Sequence, residues 1–320
     1  MTDILVAGET LVDFIPDAAG PLASVESFSR RAGGAPANVA VGLAHLDADV
    51  GFWTRLGGDP FAEFLAETLD DHGLPERFVE RDPEAKTTLA FVSLGEDADR
   101  EFSFYREDAA DARMEVGGVS DDELADASWV HFDALSMDAE PSRSAVVDFA
   151  ERAGDAGAVV SFDPNARPER WGEFTYADSV ERGFGLADVV KATPEDLAEM
   201  GVEGDAPELA REICEHGPHT VIVTLGGEGA YAYATADAPW SEGRETEVRH
   251  DGYAVDPVDT TGAGDAFTAG AVRALSNGVG LEEALAFGNA VAATTTTAEG
   301  AMTALPTLSA VESFRAEREN

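Results

Sequence analysis

The sequence predicts an α/β fold in which helices cover a mainly parallel sheet, and three observations lead to this class. Strand-like and helix-like segments alternate along most of the 320 residues, as a parallel sheet with helical crossovers requires. Hydrophobic side chains make up 44% of the chain, which is enough for one large domain with a sizeable core. Two short β-rich segments break the alternation, so we expect a second, smaller sheet beside the main one.

The first half of the chain contains the start of the main sheet and the whole of the small one. Main-sheet strand patterns cover residues 4–8 and 50–55, and helix patterns cover residues 39–46 and 61–72. The segments assigned to the small sheet are 11–15, 28–32, 88–94 and 101–106, with an acidic turn at 96–99 joining the last two. We therefore predict one domain over residues 1–320, with a lid formed from about 11–32 and 86–106. A closing lid would exclude water from the site beneath it.

The second half of the chain resumes the alternation and ends in helices. Its strand patterns cover residues 129–132, 158–162, 189–191, 220–225 and 229–234. Its helix patterns cover residues 141–154, 181–185, 207–216, 266–276, 281–296 and 308–318.

The net charge of the chain is strongly negative. Sixty-three acidic residues against 21 basic ones give a formal charge of −42, which argues against nucleic acid and anionic membranes as partners. The acids are scattered over predicted helix faces, where repulsion between them is strong in dilute buffer and screened at molar salt. This pattern predicts a protein from a salt-adapted host.

The expected location of the protein follows from its hydrophobic segments, its first residues and its cysteine content. No apolar run is long enough to span a membrane, and residues 1–8 show neither the basic flank nor the long apolar segment of a signal peptide. The single cysteine, Cys214, can form no internal disulfide, so we expect it to pack against the core. We expect a cytoplasmic protein.

The strongest candidate for chemistry is the polar, glycine-rich stretch at residues 258–267, which runs directly into a helix. Gly262, Ala263 and Gly264 can form a turn with unpaired N–H groups at the positive end of the helix dipole, which is an anion hole. Asp265 stands beside this turn, where it could take a proton from an alcohol while the amides stabilise a phosphate. The pairing predicts phosphoryl transfer to a hydroxyl. A glycine turn with Asp265 as an ordinary capping residue is the structural alternative.

Further polar residues follow other predicted strands. Asp13 lies where a strand ends, as does the turn at 224–229, and ligands of open α/β sheets collect at such ends. Gly33 and Gly34 allow close backbone approach to a ligand, and Asn38 offers it a donor and an acceptor. The six histidines lack metal-ligand spacing, so a zinc site is not expected.

Two motifs resemble the signatures of the ribokinase-like (PfkB) carbohydrate kinases. The first is Gly-Gly-Ala-Pro-Ala-Asn-Val-Ala at 33–40, followed by Gly-Gly-Asp at 57–59. The second is Asp-Thr-Thr-Gly-Ala-Gly-Asp-Ala-Phe at 259–267. Matches at 102–106, 161–168 and 226–229 extend the resemblance over essentially the whole length.

This resemblance implies a three-layer α/β/α sandwich with a small β-sheet lid, and transfer of the γ-phosphate of ATP to a sugar hydroxyl with Mg²⁺. It makes Asp265 the catalytic base and Gly262, Ala263 and Gly264 the anion hole. The implied sugar-binding residues are Asp13, Gly33, Gly34, Asn38, Tyr105, Arg106 and Arg167. The implied nucleotide-binding residues are Asn165, Lys191, Thr224, Gly226, Gly229 and Asn289.

The resemblance also concerns cations. Asp259 and Thr261 match part of a K⁺ site that would add positive charge next to the anion hole. Many family members carry Asn-x-x-Glu where this chain has Thr-Pro-Glu-Asp at 193–196. The Asn is missing, which leaves open whether Glu195 or Asp196 organises the hydration shell of Mg²⁺.

The substrate is predicted by a finer resemblance. Residues 86–94, 104–106 and 163–167 look most like those of fructokinases, so fructose is the expected sugar. A 2-keto-3-deoxygluconate kinase is the alternative, because Arg106 and Arg167 could bind a sugar-acid carboxylate, and a ribokinase or nucleoside kinase ranks lower. Arg106 could instead form a surface ion pair with Glu107 or Asp108. An intact Asp265 argues against a non-catalytic sugar sensor, and a homodimer through the lid is left open.

Overall fold

The computed structural model describes residues 2–18, 20–94, 100–172 and 174–318. The predicted acidic turn at 96–99 lies outside these ranges. Within them the strands are β1 (Ile4–Ala7), β2 (Leu11–Pro16), β3 (Phe28–Gly33), β4 (Val50–Leu56), β5 (Val79–Arg81), β6 (Leu89–Leu94), β7 (Arg100–Tyr105), β8 (Trp129–Asp133), β9 (Val159–Asp163), β10 (Val189–Ala192), β11 (Thr220–Thr224), β12 (Ala230–Ala234) and β13 (Thr246–His250). The α-helices are α1 (Ala35–His45), α2 (Pro60–Asp71), α3 (Asp121–Asp126), α4 (Ser142–Ala156), α5 (Tyr176–Phe184), α6 (Pro194–Ala198), α7 (Ala206–Cys214), α8 (Ala263–Ser276), α9 (Leu281–Thr295) and α10 (Leu308–Ala316).

The main sheet has the strand order β13-β12-β11-β10-β9-β8-β1-β4-β5 in the described part of the chain. Its strands from β11 to β5 pair in parallel, whereas β12 and β13 add an antiparallel edge. Strand β1 shows why the sheet is buried on both faces. Leu5 packs into the hydrophobic core on one side, and Ile4 and Val6 pack into the core on the other.

Helices cover both faces of this sheet. Apolar residues of α4, α5 and α7 form one core with it, and apolar residues of α1, α8, α9 and α10 form the other. The result is the predicted three-layer α/β/α sandwich, which is confirmed. No helix in the described ranges is both long enough and apolar enough to cross a membrane.

The second sheet, which we call the lid sheet, consists of β2, β3, β6 and β7 in the order β3-β2-β6-β7. Register places Asp13 beside Ala90 and Ala90 beside Phe104, so these three residues share one face. The opposite face carries a stacked pair, Phe14 and Phe91, with ring centroids 4.8 Å apart. Helix α2 covers part of that face, because the rings of its Phe61 and of Phe14 meet edge-on at 5.7 Å.

Several element boundaries differ from the predicted ones. Helix α5 starts at Tyr176, not at 181, because the side chain of Thr175 caps its first turn and Tyr176 is buried together with Val180. Helix α1 starts at Ala35, so Gly34 is its N-cap residue and the expected start at 39 is wrong. Strands β5 and β13 and helices α3 and α6 were not predicted, since each is short and carries few apolar residues.

Candidate active site

The start of helix α8 is open to a ligand. Gly262 is the N-cap residue with φ 75, a left-handed conformation, and it provides no side-chain cap. A Cβ at this position would lie 2.8 Å from the Cβ of Ala301, so both the conformation and the space require glycine. Ala263 N donates to Thr260 O and Ala266 N donates to Gly262 O, whereas Gly264 N and Asp265 N have no acceptor among the described residues. The Ala263 amide, which the prediction included in the anion hole, is therefore occupied, and the open amides of Gly264 and Asp265 lie where an anion could bind.

Asp265 lies in the first turn of this helix, and its carboxylate contacts helix α1. Its Oδ2 accepts a hydrogen bond from Asn38 Nδ2 at 2.8 Å, and the residue is half-buried between the two helices. Burial raises the pKa of Asp265 to about 7, although the Asn38 hydrogen bond and the nearby Lys191 ammonium act to lower it. A carboxylate with this pKa can both accept and release a proton near neutral pH.

Lys191, at the carboxyl end of β10, places a positive charge beside the anion hole. Its Nζ donates to Asp163 Oδ2 at 3.0 Å, and a Cβ on Gly264 would lie 3.3 Å from the same Nζ. Burial acts to lower the pKa of Lys191, but the carboxylates of Asp163 and Asp196 hold it above its ordinary value. The ammonium therefore stays charged where an anion would bind.

These groups line a cleft of about 620 Å³ at the carboxyl ends of the parallel strands. Its lining residues are Phe102, Asn165, Ala166, Arg167, Pro168, Lys191, Thr193, Glu195, Asp196, Glu199, Thr260, Thr261, Gly262, Gly264 and Asp265. Phe102 comes from the lid sheet, and its ring lies 5.7 Å from the guanidinium carbon of Arg167. Arg167 donates to Ala166 O at 2.7 Å, which leaves most of its donors available to a ligand.

The predicted sugar-binding motif forms a tight backbone corner. A Cβ on Gly33 would lie 2.1 Å from Asp13 Oδ2, and a Cβ on Gly34 would lie 2.5 Å from Glu9 O. Gly34 also has φ 105, so any larger residue would be strained. Asn38 Oδ1 is buried and has no hydrogen-bond partner in the described ranges, which leaves an acceptor next to Asp265. The structure thus brings Asn38 and Asp265 together from the two ends of the chain.

The two candidate magnesium residues have different surroundings. Asp196 is buried, and its carboxylate accepts from Thr193 N, Thr193 Oγ1 and Ala166 N at 2.8 to 3.0 Å. Glu195 and Glu199 are exposed in the cleft lining. Across the described ranges, no group of three or more His, Cys, Asp and Glu side chains could hold a metal ion.

The predicted K⁺ residues shape the loop before α8. Asp259 Oδ1 accepts from Thr261 N at 3.0 Å and from Thr261 Oγ1 at 2.6 Å. Asp259 Oδ2 accepts from Gly300 N at 3.0 Å. This carboxylate ties the loop to the segment after α9, next to the Gly262 turn.

The predicted nucleotide residues divide into two groups. Asn165 and Lys191 line the cleft, and Asn165 Nδ2 donates to Asp133 Oδ2 at 3.2 Å. Thr224 ends β11, and Gly226 and Gly229 lie in the turn that follows; all three are outside the cleft lining. Asn289 is buried within α9, where its Nδ2 donates to Leu285 O.

Two substrate candidates on the lid sheet lie elsewhere than expected. Tyr105 is 65% exposed and packs edge-on against Phe91, on the opposite face from Phe104, because neighbouring residues of a strand point to opposite sides. Arg106 directly follows β7, is largely buried and pairs with Asp111 and Asp138, so the alternative of a surface pair with Glu107 or Asp108 is wrong.

The sequence interpretation assigned no role to three residues in or beside the cleft: Glu199 and Phe102 line it, and Asp163 contacts its Lys191. Asp163 ends β9 and pairs with Lys191, and its position at a strand end is a signal that could have found it. Glu199 follows Glu195 by four residues, which is one helical turn. Phe102 shares a strand face with Phe104, and period-two alternation would have selected this pair over Tyr105.

Comparisons with known proteins show which family this chain resembles. A family model described as pfkB family carbohydrate kinase matches residues 1–308. A relative described as probable fructokinase-6, chloroplastic, from Arabidopsis thaliana is 36% identical over 320 residues, covering 96% of this chain and 81% of the relative.

Solved structures are similar over nearly the full length. The fructokinase of Xylella fastidiosa with bound ATP has a TM-score of 0.88 and 32% identity, and all of both chains is covered. The fructokinase of Vibrio cholerae in its fructose, ADP and calcium ion bound form has a TM-score of 0.82 and 33% identity, covering 98% of this chain and 99% of that one. A putative ribokinase II of Escherichia coli in complex with ATP and Mg²⁺ has a TM-score of 0.86 and 25% identity, covering 99% and 100%.

Proposed function

We propose that this chain, which belongs to the PfkB family of carbohydrate kinases, transfers the γ-phosphate of ATP to a primary hydroxyl of fructose. One observation carries the proposal. The amides of Gly264 and Asp265 are open at the start of α8, and the carboxylate of Asp265 with its pKa of about 7 stands on the same turn. An anion hole and a base in one helical turn suit transfer of a phosphoryl group to an alcohol.

The reaction then follows from the positions of these groups. Asp265 accepts the proton of the sugar hydroxyl as its oxygen attacks the γ-phosphorus. A bond from that oxygen to phosphorus forms, and the bond from phosphorus to the bridging oxygen of ADP breaks. The amides of Gly264 and Asp265 and the ammonium of Lys191 stabilise negative charge on the transferring group. Asn38 holds the carboxylate of Asp265 in place through its 2.8 Å hydrogen bond.

The residues present fit Mg²⁺ bound mainly through the nucleotide phosphates. Mg²⁺ is usually held by one or two carboxylates together with phosphates and water, and the exposed Glu195 and Glu199 line the cleft. Asp196 is committed to backbone donors, so we assign the hydration shell to Glu195. When bound, the ion would neutralise charge on the phosphates. We assign Asn165, Thr224, Gly226, Gly229 and Asn289 to the nucleotide.

The pairing of Arg106 favours fructose over a sugar acid. Two carboxylates, Asp111 and Asp138, already neutralise its guanidinium in a buried setting, so a sugar-acid carboxylate would have to displace one of them. Of the two arginines considered for that role, Arg167 keeps unused donors. Fructose needs only hydrogen bonds with groups such as the Asp13 carboxylate, which accepts, and the Asn38 amide.

The test is kcat/KM for phosphoryl transfer to a panel of fructose, 2-keto-3-deoxygluconate, ribose and adenosine in molar KCl. We expect fructose to exceed each of the others by at least about tenfold, which is the discrimination of roughly one hydrogen-bonding contact. An Arg167→Gln variant is the control, because it removes the other arginine that was considered for binding a sugar-acid carboxylate. A preference for 2-keto-3-deoxygluconate that disappears in this variant would replace fructose with the sugar acid.

Salt and K⁺ form a second proposal. The charge of −42 should destabilise the fold in dilute buffer, and molar salt should relieve the repulsion. We expect the melting temperature to rise steeply from low salt to molar KCl. We expect the same rise in NaCl. If K⁺ binds near Asp259 and Thr261, KCl should support a higher kcat than NaCl at equal ionic strength. A melting temperature that is flat or falls with salt contradicts salt adaptation, and equal kcat in both salts contradicts the K⁺ site.

A homodimer through the lid sheet remains a proposal that rests on the exposed ring of Tyr105 beside Phe91. Light scattering of the wild type and of a Tyr105→Glu variant in molar KCl tests it. A dimer in the first and a monomer in the second would support this interface, and a monomeric wild type would exclude it.

A further inference from the structure

One buried carboxylate joins the lid sheet to the segment that lines the cleft. Asp138 Oδ1 accepts from Arg106 Nη1 at 2.7 Å, and Asp138 Oδ2 accepts from Arg170 Nε at 2.8 Å. Arg106 directly follows strand β7 of the lid sheet. Arg170 ends the short helix that starts at Pro168, directly after the cleft residues Asn165, Ala166 and Arg167. Asp138 itself belongs to the main body, shortly after β8.

Two aromatic rings of β7 reinforce this junction. The ring of Phe104 lies 5.0 Å from the guanidinium carbon of Arg170, and the ring of Phe102 lies 5.7 Å from that of Arg167. Both rings are on the face of the lid sheet that carries Ala90. Strand β7 therefore rests on residues 167–170 through two stacked pairs, while Asp138 binds one arginine from each side.

The three charged side chains of the junction expose little of their surface. Side-chain exposure is 11% for Arg106, 3% for Asp138 and 2% for Arg170, so their electrostatic attraction is screened little. Arg106 Nη2 and Arg170 Nη1 are buried without a hydrogen-bond partner in the described part of the chain. The buried Glu9 carboxylate attracts both arginines as well, but among the described residues it accepts no hydrogen bond from either of them, so loss of Asp138 removes the two hydrogen bonds that join the lid sheet to residues 167–170.

We propose that Asp138 is a positioning residue, which holds strand β7 of the lid sheet against residues 165–170 and so keeps Phe102 and Arg167 in place as a wall of the cleft. This inference rests on the proposed function, since it concerns the same reaction. A lid held in place excludes water, and water is the competitor of the sugar hydroxyl. If water attacks instead, its oxygen bonds to the γ-phosphorus, the bond to ADP breaks, and inorganic phosphate forms without sugar phosphate.

The experiment measures ADP and fructose phosphate in the same reaction, in molar KCl, for the full chain. Asp138→Asn keeps the shape of the side chain but weakens both contacts to arginine. Phe104→Leu removes the ring over Arg170 and leaves all buried charges in place, so it tests the junction even if Asp138→Asn fails to fold. Glu283→Gln is the control, because Glu283 binds Arg315 at 2.7 and 3.0 Å between α9 and α10, away from the cleft lining.

We expect kcat/KM for fructose to fall about tenfold to a hundredfold in Asp138→Asn, because small displacements of a site have effects of that size. We also expect ADP to exceed fructose phosphate in Asp138→Asn and Phe104→Leu, whereas the two products stay equal in the wild type and in Glu283→Gln. A general loss of stability would lower both products together and leave their ratio unchanged.

The outcomes separate this inference from the proposed function. A wild type that phosphorylates none of the sugars overturns the proposed function. If the wild type prefers another sugar of the panel, the variants are measured with that sugar. The ratio of ADP to sugar phosphate then still tests the role of Asp138. Equal amounts of ADP and sugar phosphate in a folded Phe104→Leu variant, with kcat/KM as in the control, overturn the role of Asp138.

Discussion

Two helix starts face the same cleft and place an aspartate at the same position, yet they are built differently. In α6, Thr193 is the N-cap residue and Asp196 is the third residue of the helix. Their side chains and backbones bond reciprocally in a capping box, which satisfies the first turn. In α8, Gly262 is the N-cap residue and Asp265 is the third residue, but no side chain caps the turn.

The difference shows how the same residue type becomes structural in one place and reactive in another. Asp196 spends both carboxylate oxygens on backbone and hydroxyl donors, so its helix start is complete without a ligand. Asp265 receives a hydrogen bond from Asn38, while the amides of its own turn stay open. An open turn costs free energy unless an anion fills it, so we expect the ligand to supply the missing cap.

Asp265→Asn tests the reactive half of this comparison and should have the largest effect. Loss of a general base typically lowers turnover by about 10²–10⁴. We expect kcat to fall by that factor while fructose and ATP still bind, as measured by single-turnover kinetics and calorimetry. A variant with near wild-type kcat at saturating substrates would remove the central assignment.

The stability of the same variant provides its control. Burial raises the folded pKa of Asp265 to about 7, so the protonated form contributes stability at acid pH that is lost as pH rises through about 7. Asp265→Asn should therefore melt at a higher temperature than the wild type at pH 8, and this difference should shrink towards pH 5. A lower melting temperature at pH 8 would show that the Asn side chain disturbs the structure around position 265.

The second effect concerns the charge beside the open turn. We expect Lys191→Met to lower kcat/KM at pH 8 by about 10²-fold, the usual loss when one group that stabilises the transition state is removed. The Lys191 ammonium also lowers the pKa of Asp265, so its loss should move the acid limb of the pH profile to higher pH. A pH profile between pH 5 and 9 measures both. An unchanged acid limb would show that Lys191 does not influence the pKa of the group that limits activity at acid pH.

The smallest expected effect concerns the capped start of helix α6. Thr193→Ala removes the N-cap of α6, which should cost about 1 kcal/mol of unfolding free energy. Turnover should stay close to that of the wild type, because the capped turn is structural. Denaturant unfolding and kcat measure the two consequences. A large loss of kcat without loss of stability would instead give Thr193 the role of the Asn that other family members carry.

Sequence reasoning reached the fold because its signals repeat along the chain. Buried parallel strands such as β1, β8 and β11 are short apolar runs, and turns or helices separate them. The lid strands were recognised because they interrupt that order. Short elements such as α6 were missed, since a capping box of two residues gives a weaker signal than a hydrophobic period.

The candidate site was predicted unevenly for a related reason. The Gly262 turn was found because a glycine-rich turn before a helix requires only local geometry. The sequence analysis named Tyr105 as a substrate residue without deciding its face, because the position of the lid sheet against the main body selects which face of β7 meets the cleft.

The sequence by itself therefore determined the three-layer class, the open start of α8 and the position of Asp265 within it. The class depends on a pattern that repeats along the chain, and the last two depend on the conformations that glycine allows and on residues within one helical turn. The tertiary structure decided the partners of the charged groups, since Lys191 meets Asp163 across 28 positions and Arg106 meets Asp138 across 32. In a chain with so many carboxylates, each cation has many possible partners, and only packing selects one. The same packing brings Asn38 to Asp265 across 227 positions, and with it the surroundings that determine the pKa of the proposed base.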